Sequence, residues 1–169
     1  MIRNLVFDLG NVIVEYNPSQ IVATLFKDEQ ERKLILQEVF LSKGWKQLDQ
    51  GLITFEEHYQ NVAARLPQYA EEIEWLLKNW YKDPRYLPGV YSMIKTISHY
   101  DFDMYVLSNA SKLYYNHAQD LEIFKFFTGI TISAELKLLK PQKEIYDRFF
   151  QIHQLRPEEC LFIDDQLEN

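Results

Sequence analysis

Two sets of aspartates stand where apolar segments end. Asp8 follows the apolar residues 5–7 and precedes Gly10, while Asp164 and Asp165 follow the apolar residues 160–163. A carboxylate at the tip of a buried strand can act as a nucleophile or as a metal ligand. Two adjacent carboxylates repel each other, and a hard divalent cation such as Mg²⁺ relieves that repulsion. The structural alternatives are a turn cap for Asp8 and a helix N-cap for one of the pair.

Two further polar positions could bind a phosphoryl group. Ser108 and Asn109 follow the apolar residues 104–107, and a hydroxyl with the next backbone N–H can hold phosphoryl oxygens where a helix starts. Lys140 precedes Pro141, and proline is favoured at the first helical position, so this lysine should be fixed just before a helix. It could then neutralise a phosphoryl group or a carboxylate. The alternatives are a cap or turn for Ser108 and a solvated lysine.

Four apolar runs that end in polar residues predict short buried strands, at 5–7, 104–107, 130–132 and 160–163. Segments of helical period lie between the later runs, at 90–100, 113–127 and 143–153. This alternation predicts an α/β fold with a doubly wound parallel sheet. Ligands bind at the carboxyl ends of strands in such sheets, so the polar residues that end the runs should meet in one crevice.

The pattern changes between Pro18 and about Tyr81, where no clear strand is found. Apolar residues recur at helical spacing in four stretches, at 21–26, 32–40, 54–66 and 70–80. Prolines and a glycine within 83–89 set turns where the chain returns to the strand-and-helix pattern. The sequence therefore predicts a small helical insert after the first strand.

The order of these motifs resembles the haloacid dehalogenase superfamily over essentially the whole chain. The motifs are strand-Asp8, strand-Ser108, Lys140-Pro141 and strand-Asp164-Asp165. Residues 6–14 (VFDLGNVIV) and 133–146 (SAELKLLKPQKEIY) look like the subgroup of bacterial sugar-phosphate phosphatases and the phosphatase domain of soluble epoxide hydrolase. The resemblance implies a Rossmann-like core, residues 1–16 plus 88–169, and a helical cap, residues 17–87.

The resemblance also implies a magnesium-dependent phosphatase acting on a small phosphate monoester, with a sugar phosphate as one candidate. Asp8 would attack phosphorus and form an aspartyl-phosphate. Ser108 and the backbone of Asn109 would orient the phosphoryl oxygens, and Lys140 would offset charge. The ligands of Mg²⁺ would be Asp8, the carbonyl of Gly10, Asp165 and the phosphate, with Asp164 as a direct or an indirect ligand. Tyr16, Trp45, His58 and Tyr59 are candidates for contacting the leaving group, although helical spacing makes most of them core or surface residues.

Two features depart from the family pattern. Most family phosphatases carry a proton-transferring Asp two positions after the nucleophile, and this chain has Gly10 there. In the family a helix and a strand follow the paired aspartates, whereas this sequence ends at Asn169, so we expect a core without its last strand and helix. Both departures keep open a non-catalytic or truncated binding or regulatory protein. Gly10 argues against a phosphomutase, and the paired aspartates argue against a dehalogenase.

Composition limits the partners. The 169 residues carry 25 acidic and 18 basic side chains, a formal net charge of -7, which argues against a nucleic-acid partner. No apolar stretch approaches the roughly 20 residues of a membrane helix. Cys160 is the single cysteine, which excludes an intramolecular disulfide and favours a cytoplasmic protein. A homodimer through the cap or the open sheet edge is left undecided.

Overall fold

A four-stranded parallel sheet forms the centre of the molecule. The computed structural model describes residues 1–118 and 121–169. The strands are β1 (Asn4–Phe7), β2 (Asp103–Ser108), β3 (Gly129–Ile132) and β4 (Cys160–Ile163). They lie in the order β3-β2-β1-β4, and every pairing is parallel. The α/β fold and the four strands predicted from the sequence are confirmed.

The register of the strands brings their polar ends to one edge of the sheet. Phe7 of β1 lies opposite Val106 of β2 and opposite Ile163 of β4. The next residue of β1, Asp8, therefore emerges beside Asp164, and its backbone N–H donates to the carbonyl of Ile163 at 2.9 Å. Parallel strands in this register deliver the residues that follow them to a common crevice.

Helices cover both faces of the sheet, because successive side chains of β1 and β2 point to opposite sides. Leu5 and Phe7 pack with residues such as Ile94 and Ile123 on one face. Val6 packs with Ile145 and other residues on the opposite face. The helices that supply these contacts, together with the short helix after β3, are α6 (Val90–Ile97), α7 (Lys112–Ala118), α8 (Ser133–Leu136) and α9 (Lys143–His153). This two-sided packing is the doubly wound arrangement of a Rossmann-like core.

The helix expected over 113–127 takes a different form. The described part consists of α7 and a 3₁₀ helix over Glu122–Phe126. Residues 119 and 120 lie outside the described part of the chain. By contrast, the helix expected over 143–153 coincides with α9.

Residues 18–79 contain five helices and are called the helical segment below. They are α1 (Pro18–Ala23), α2 (Glu29–Ile35), α3 (Lys43–Asp49), α4 (Phe55–Arg65) and α5 (Ala70–Asn79), and a π-helical turn over Leu36–Phe40 extends α2. The segment has an apolar cluster of its own, centred on residues such as Val22, Ile35 and Ile73. Among residues 1–118 and 121–169, no helix combines the length and apolarity needed to cross a bilayer.

Helix α3 was missed by the sequence analysis, which found no helical pattern between 41 and 53. Its start is nevertheless encoded locally, because the side chain of Ser42 accepts a hydrogen bond from the backbone N–H of Trp45 at 3.1 Å. Ser is a favoured N-cap residue for this reason. The helix has only seven residues, of which Trp45 and Leu48 are buried, so its apolar period is too short to stand out.

The helical segment is attached to the sheet at two places. Where the chain leaves and re-enters the core, Glu15 donates to the carbonyl of Arg85 at 2.8 Å and Leu87 donates to that of Ile13 at 3.1 Å. The end of α3 forms the second attachment. The hydroxyl of buried Ser133 donates to the carbonyl of Asp49 at 2.5 Å, and the side chain of Gln50 donates to the carbonyl of Lys137 at 3.0 Å.

Gly51 makes the second attachment sensitive to substitution. Its φ is +68°, and a Cβ at this position would lie 2.3 Å from the carbonyl oxygen of Ala134. Gly89 has a similar φ of +81°, but a Cβ there would meet nothing within 4 Å. The two glycines therefore share the left-handed backbone and differ in the clash with the core.

We expect Gly51→Ala to lower the free energy of unfolding by about 3 kcal/mol, because it adds a backbone clash to the strain of a left-handed alanine. Gly89→Ala is the matched control and should cost only about 1 kcal/mol. Urea unfolding of both variants provides the measurement. Equal losses for the two variants would show that α3 does not rest on Ala134.

Candidate active site

A buried lysine joins two of the predicted aspartates. The Nζ of Lys140 lies 3.0 Å from Asp8 Oδ1 and 2.6 Å from Asp164 Oδ2. The lysine side chain is 2% exposed, and those of Asp8 and Asp164 are 11% and 14% exposed. Burying an ion pair costs desolvation free energy, and removing one partner leaves an uncompensated buried charge, so each of these three groups depends on the others.

The backbone of Lys140 is held by the side chain of Asn109. The amide of Lys140 donates to Asn109 Oδ1 at 2.8 Å, and Asn109 Nδ2 donates to the carbonyl of Lys140 at 3.1 Å. The expectation that Pro141 begins a helix was wrong, because α9 starts at Lys143 and its N-cap is Gln142. The lysine is thus fixed by a residue that follows β2, and not by the start of a helix.

Asp8 is desolvated and has an oxygen without an aligned donor. Burial raises the pKa of Asp8, while the charge of Lys140 and the hydroxyl of Ser108 oppose that shift. Oδ1 of Asp8 is buried and accepts no hydrogen bond, although the ammonium of Lys140 is an ion-pair partner at 3.0 Å. A buried carboxylate oxygen beside an ammonium group can still bind a metal cation or attack an electrophile.

The carboxylates of Asp8, Asp164 and Asp165 form one acidic cluster. One oxygen from each lies within 4.8 Å of the other two. Three carboxylates against the single ammonium of Lys140 leave an excess of negative charge, and their oxygens are the ligands that hard divalent cations prefer. Gly10 lies two residues beyond Asp8, in a loop where it bridges Val14. Its role as a carbonyl ligand stays a prediction.

Asp164 differs from Asp8 because other residues of the chain donate hydrogen bonds to both of its carboxylate oxygens. Its oxygens accept from the backbone N–H of Gln166 at 2.9 Å and from the side chain of Asn169 at 3.0 and 3.1 Å. Although burial opposes ionisation, these hydrogen bonds and the one from Lys140 hold the pKa of Asp164 below its ordinary value. Asp164 is therefore a fixed anion, with little capacity left for an incoming group.

Asn11 and Asn169 are site residues that the sequence analysis did not identify. Asn11 Nδ2 donates to Asp165 Oδ2 at 3.4 Å, and its Oδ1 accepts from the backbone N–H of Tyr16 at 3.0 Å. Asn11 has a φ of +55°, a conformation in which asparagine is over-represented. The asparagine that follows a DxG loop was the available signal. No local pattern pointed to Asn169.

An aromatic cluster lies beside the acidic cluster. Trp80, at the end of α5, stacks on Tyr114 with ring centroids 5.3 Å apart and an interplanar angle of 9°. Tyr16 and Trp45 meet Trp80 edge-on at 5.7 and 5.4 Å. Burial and the charge of Asp8 raise the pKa of Tyr114 to about 12, so this phenol is neutral and close to Asp8. These rings join the helical segment to the loops around Asp8.

The four residues considered for contacting a leaving group take different positions. Trp45 and His58 are buried with their rings 5.9 Å apart, and Tyr59 packs against the same apolar core. Tyr16 faces the loop after Asp8, because its Cβ would lie 3.5 Å from a Cβ at Gly10. Tyr16 therefore remains a candidate for substrate contact, whereas His58 and Tyr59 belong to the helical segment.

Asp49 is a further acidic residue near this site, and the sequence analysis missed it. It ends α3, and its carboxyl group accepts a hydrogen bond from the backbone N–H of Ser111. The residue as a whole is only partly buried, yet the carboxyl lies deep enough that burial raises the pKa of Asp49 to about 8, an effect that Ser111 reduces. Burial and the charge of Asp49 also raise the pKa of Tyr16. A protonated carboxyl group is therefore placed beside the aromatic cluster.

Comparison with known proteins identifies the family. A family model of haloacid dehalogenase-like hydrolases matches residues 2–169. The chain belongs to this family. YfnB of Bacillus subtilis, which is named as a haloacid dehalogenase (HAD) hydrolase, is 27% identical over 98% of this chain and 76% of its own length. The sesquiterpene phosphatase astK of Aspergillus oryzae is 22% identical over 97% of this chain and 81% of its own length.

Solved structures of HAD-like hydrolases share the fold. The HAD family enzyme bt-2542 of Bacteroides thetaiotaomicron, in complex with magnesium and inorganic phosphate, has a TM-score of 0.76 at 19% identity, covering 99% of this chain and 86% of that one. An L-2-haloacid dehalogenase from Xanthobacter autotrophicus has a TM-score of 0.68 at 14% identity, and the match covers 96% of this chain and 69% of that one. Membership of the HAD superfamily is thus confirmed, and the resemblance to the sugar-phosphatase subgroup stays a prediction.

The first prediction from the active site of this HAD-like hydrolase concerns Lys140. Lys140→Met leaves the desolvated carboxylates of Asp8 and Asp164 without a counter-charge, so the free energy of unfolding should fall by about 3 kcal/mol when a chelator is present. A divalent cation should restore part of this loss, because it replaces the missing positive charge. Urea unfolding with a chelator or with magnesium provides the measurement.

Lys143→Met is the matched control for that experiment. Lys143 pairs with Asp147 at 2.5 Å, but the two side chains are 81% and 56% exposed. Removing this pair should cost under about 1 kcal/mol and should show no dependence on magnesium. A similar loss in both variants would mean that the buried pairs of Lys140 do not stabilise the site.

The second prediction concerns the pH dependence of stability in Asp49→Asn. Burial raises the pKa of Asp49 from its ordinary value of 3.8 to about 8 in the folded state. The stability that the protonated group contributes is complete below pH 3.8 and is lost as the pH rises towards 8, by up to about 1.4 kcal/mol per unit. The variant lacks this titration, so its stability relative to the parent chain should increase from pH 5 to pH 8.

Thermal unfolding at several pH values tests this difference. The titratable side chains on the elements around Asp49 include Tyr16, Lys46, His58, Lys112, Tyr114, Tyr115 and Glu135. They are common to both proteins, so their own titration cancels in the comparison. Asp83→Asn, at a side chain that is 90% exposed, controls for the change in net charge. A difference between Asp49→Asn and the parent that stays constant from pH 5 to pH 8 would contradict the elevated pKa.

Proposed function

We propose that this hydrolase is a magnesium-dependent phosphatase that cleaves small phosphate monoesters, with sugar phosphates as a candidate substrate class. The observation that carries the proposal is the buried ammonium of Lys140 between Asp8 and Asp164. Asp165 adds a third carboxylate within 4.8 Å. Two relatives support the assignment, because bt-2542 was crystallised with magnesium and inorganic phosphate and astK is named as a phosphatase.

The acidic cluster fits a magnesium ion. Mg²⁺ takes oxygen ligands in an octahedral arrangement and is usually held by one or two carboxylates together with substrate phosphate. Asp8, Asp165 and the carbonyl of Gly10 would hold the ion, with Asp164 as an indirect ligand, because its oxygens already accept hydrogen bonds from the chain. When bound, the ion would neutralise phosphoryl charge and orient the ester for attack.

Asp8 is the nucleophile in this proposal. Its carboxylate oxygen forms a bond to phosphorus while the bond between phosphorus and the ester oxygen breaks, which gives an aspartyl-phosphate and, once the ester oxygen takes up a proton, an alcohol. Lys140, 3.0 Å from Asp8 Oδ1, keeps positive charge beside the reacting oxygens throughout this step. A water molecule then attacks the aspartyl-phosphate, releases inorganic phosphate and regenerates Asp8.

Ser108 and Asn109 have orienting roles. Ser108 is buried at the end of β2, and its hydroxyl is near enough to Asp8 to affect the pKa of that carboxylate. It can therefore donate to a phosphoryl oxygen held at Asp8. The side chain of Asn109 is occupied by Lys140, so the contribution of Asn109 to the phosphate comes from its backbone N–H.

The helical segment acts as the cap in this proposal, within the division of core 1–16 plus 88–169 and cap 17–87. The rings of Tyr16, Trp80 and Tyr114 lie between this segment and Asp8. Aromatic walls with a few polar groups are typical of sites for small ligands. Phenol hydroxyls beside aromatic faces suit a substrate with several hydroxyl groups, which supports the sugar-phosphate class.

Phosphate release tests the proposal. The substrates are a panel of sugar phosphates and an activated aryl phosphate, each assayed with magnesium or with a chelator. The parent chain should turn over at least one substrate only with magnesium, and Asp8→Asn should lose that turnover by more than about 1,000-fold, since the amide is a poor nucleophile. Asp83→Asn, which removes an exposed carboxylate, should retain the turnover of the parent chain.

The same assay separates the alternative function. A folded parent chain that releases no phosphate from any substrate would favour a non-catalytic binding or regulatory protein. Equal turnover by the parent chain and Asp8→Asn would overturn the assignment of the nucleophile. Turnover that survives the chelator would overturn the requirement for magnesium.

A further inference from the structure

The proposed reaction needs a proton donor that the acidic cluster does not supply. An alkyl alcohol is a poor leaving group unless its oxygen is protonated as the bond to phosphorus breaks. Gly10 has no side chain, Lys140 is engaged by two carboxylates, and hydrogen bonds favour the ionised form of Asp164. A donor must therefore come from another part of the crevice.

Asp49 is held at this crevice by contacts with the core. Its carbonyl oxygen accepts from the hydroxyl of Ser133 at 2.5 Å, and that hydroxyl also accepts from the backbone N–H of Ala110 at 2.9 Å. Its carboxyl group accepts from the backbone N–H of Ser111. Ser111 lies three residues beyond Ser108. The carboxyl group is thus attached to the loop that carries the proposed phosphate-binding residues.

Tyr16 places Asp49 on the same side of the site as Gly10. The Cβ of Tyr16 would lie 3.5 Å from a Cβ at Gly10, so this tyrosine occupies the space next to that position. Tyr16 also lies within electrostatic range of both Asp49 and Tyr114, and Tyr114 lies within range of Asp8. The phenols of Tyr16 and Tyr114 therefore connect Asp49 with Asp8 through a chain of electrostatic contacts.

The protonation state of Asp49 suits a donor. Burial raises the pKa of Asp49 to about 8, and within the described part of the chain only the hydrogen bond from Ser111 offsets that effect. The group therefore keeps its proton at neutral pH, close to the pH at which a general acid is most effective. The residue as a whole is only partly buried, so it lies at a surface that solvent reaches.

We propose that Asp49 is the general acid that protonates the leaving oxygen of the substrate, an inference that rests on the proposed phosphatase function. As Asp8 bonds to phosphorus, the electron pair of the breaking P–O bond passes to the ester oxygen, which takes the proton of Asp49. The resulting carboxylate then accepts a proton from the water that attacks the aspartyl-phosphate. Asp49 returns to its protonated form, and phosphate leaves.

The test compares two leaving groups in Asp49→Asn. The amide is neutral and similar in shape to the protonated acid, and its oxygen can still accept from Ser111, so the fold should be retained. The leaving oxygen of an aryl phosphate with an acidic phenol needs little protonation. The leaving oxygen of an alkyl phosphate must be protonated as the bond to phosphorus breaks. For the alkyl phosphate kcat/KM should fall by about 100-fold or more, and for the aryl phosphate by under about 5-fold.

Two further variants separate chemistry from structure. Ser133→Ala removes the hydroxyl that seats Asp49 on the core but leaves the acid, so it should lower kcat/KM for the alkyl phosphate more than for the aryl phosphate, and by a smaller factor than Asp49→Asn. Asp49→Glu keeps an acidic proton and should recover part of the alkyl phosphate activity that Asp49→Asn loses. Asp49→Glu also tests the proposal if Asp49→Asn does not fold.

Each outcome has a distinct meaning. A selective loss with the alkyl phosphate, partly recovered in Asp49→Glu, would support Asp49 as the donor. Equal losses with both substrates, or no loss with either, would overturn this role while leaving the phosphatase function intact. If the parent chain shows no turnover that depends on magnesium and Asp8, the proposed function itself fails, and the role of Asp49 fails with it.

Discussion

The structure depends on one ammonium group that is kept out of water between two carboxylates. A buried, unpaired lysine would cost several kcal/mol, so Lys140 requires both Asp8 and Asp164 in place. The register of β1 against β4 delivers the two aspartates side by side. Asn109, directly after β2, holds the backbone of Lys140. The ends of β1, β2 and β4 and the loop before α9 therefore form one unit. The two carboxylates neutralise the ammonium of Lys140, and Asn109 holds that lysine in place.

The aspartates of this unit are not equivalent. Hydrogen bonds from Gln166, Asn169 and Lys140 hold the pKa of Asp164 below its ordinary value. Burial raises the pKa of Asp8, and Oδ1 of Asp8 lacks an aligned donor. The carboxylate of Asp164 thus has its hydrogen bonds supplied by the chain, while the carboxylate of Asp8 can still bind an external partner. The same lysine serves both, so it stabilises the fold through Asp164 and prepares the reactive oxygen of Asp8.

The sequence allowed the sheet and its polar edge to be predicted, because short apolar strands and the residues that end them are local signals. Asp8, Ser108, Asp164 and Asp165 were found in this way. The clamp of Asn109 on Lys140 and the contacts of Asp49 could not be found, since they join residues 31 or more positions apart without a repeating pattern. The one local hint at Asp49 was its charge, because an acidic residue at a helix C-terminus opposes the helix dipole.

Asp49 has an advantage as the proposed donor, because burial and not a neighbouring cation sets its pKa. A carboxyl group placed among Asp8, Asp164 and Asp165 would lie beside Lys140 and any bound cation, and both favour ionisation. A group that is already ionised cannot protonate an alcohol. Asp49 is desolvated without such a counter-charge, so it keeps its proton at neutral pH. The sheet therefore supplies the nucleophile, and the helical segment supplies the acid. The hydrogen bond from Ser133 to Asp49 at the end of α3 determines the position of the acid relative to the nucleophile.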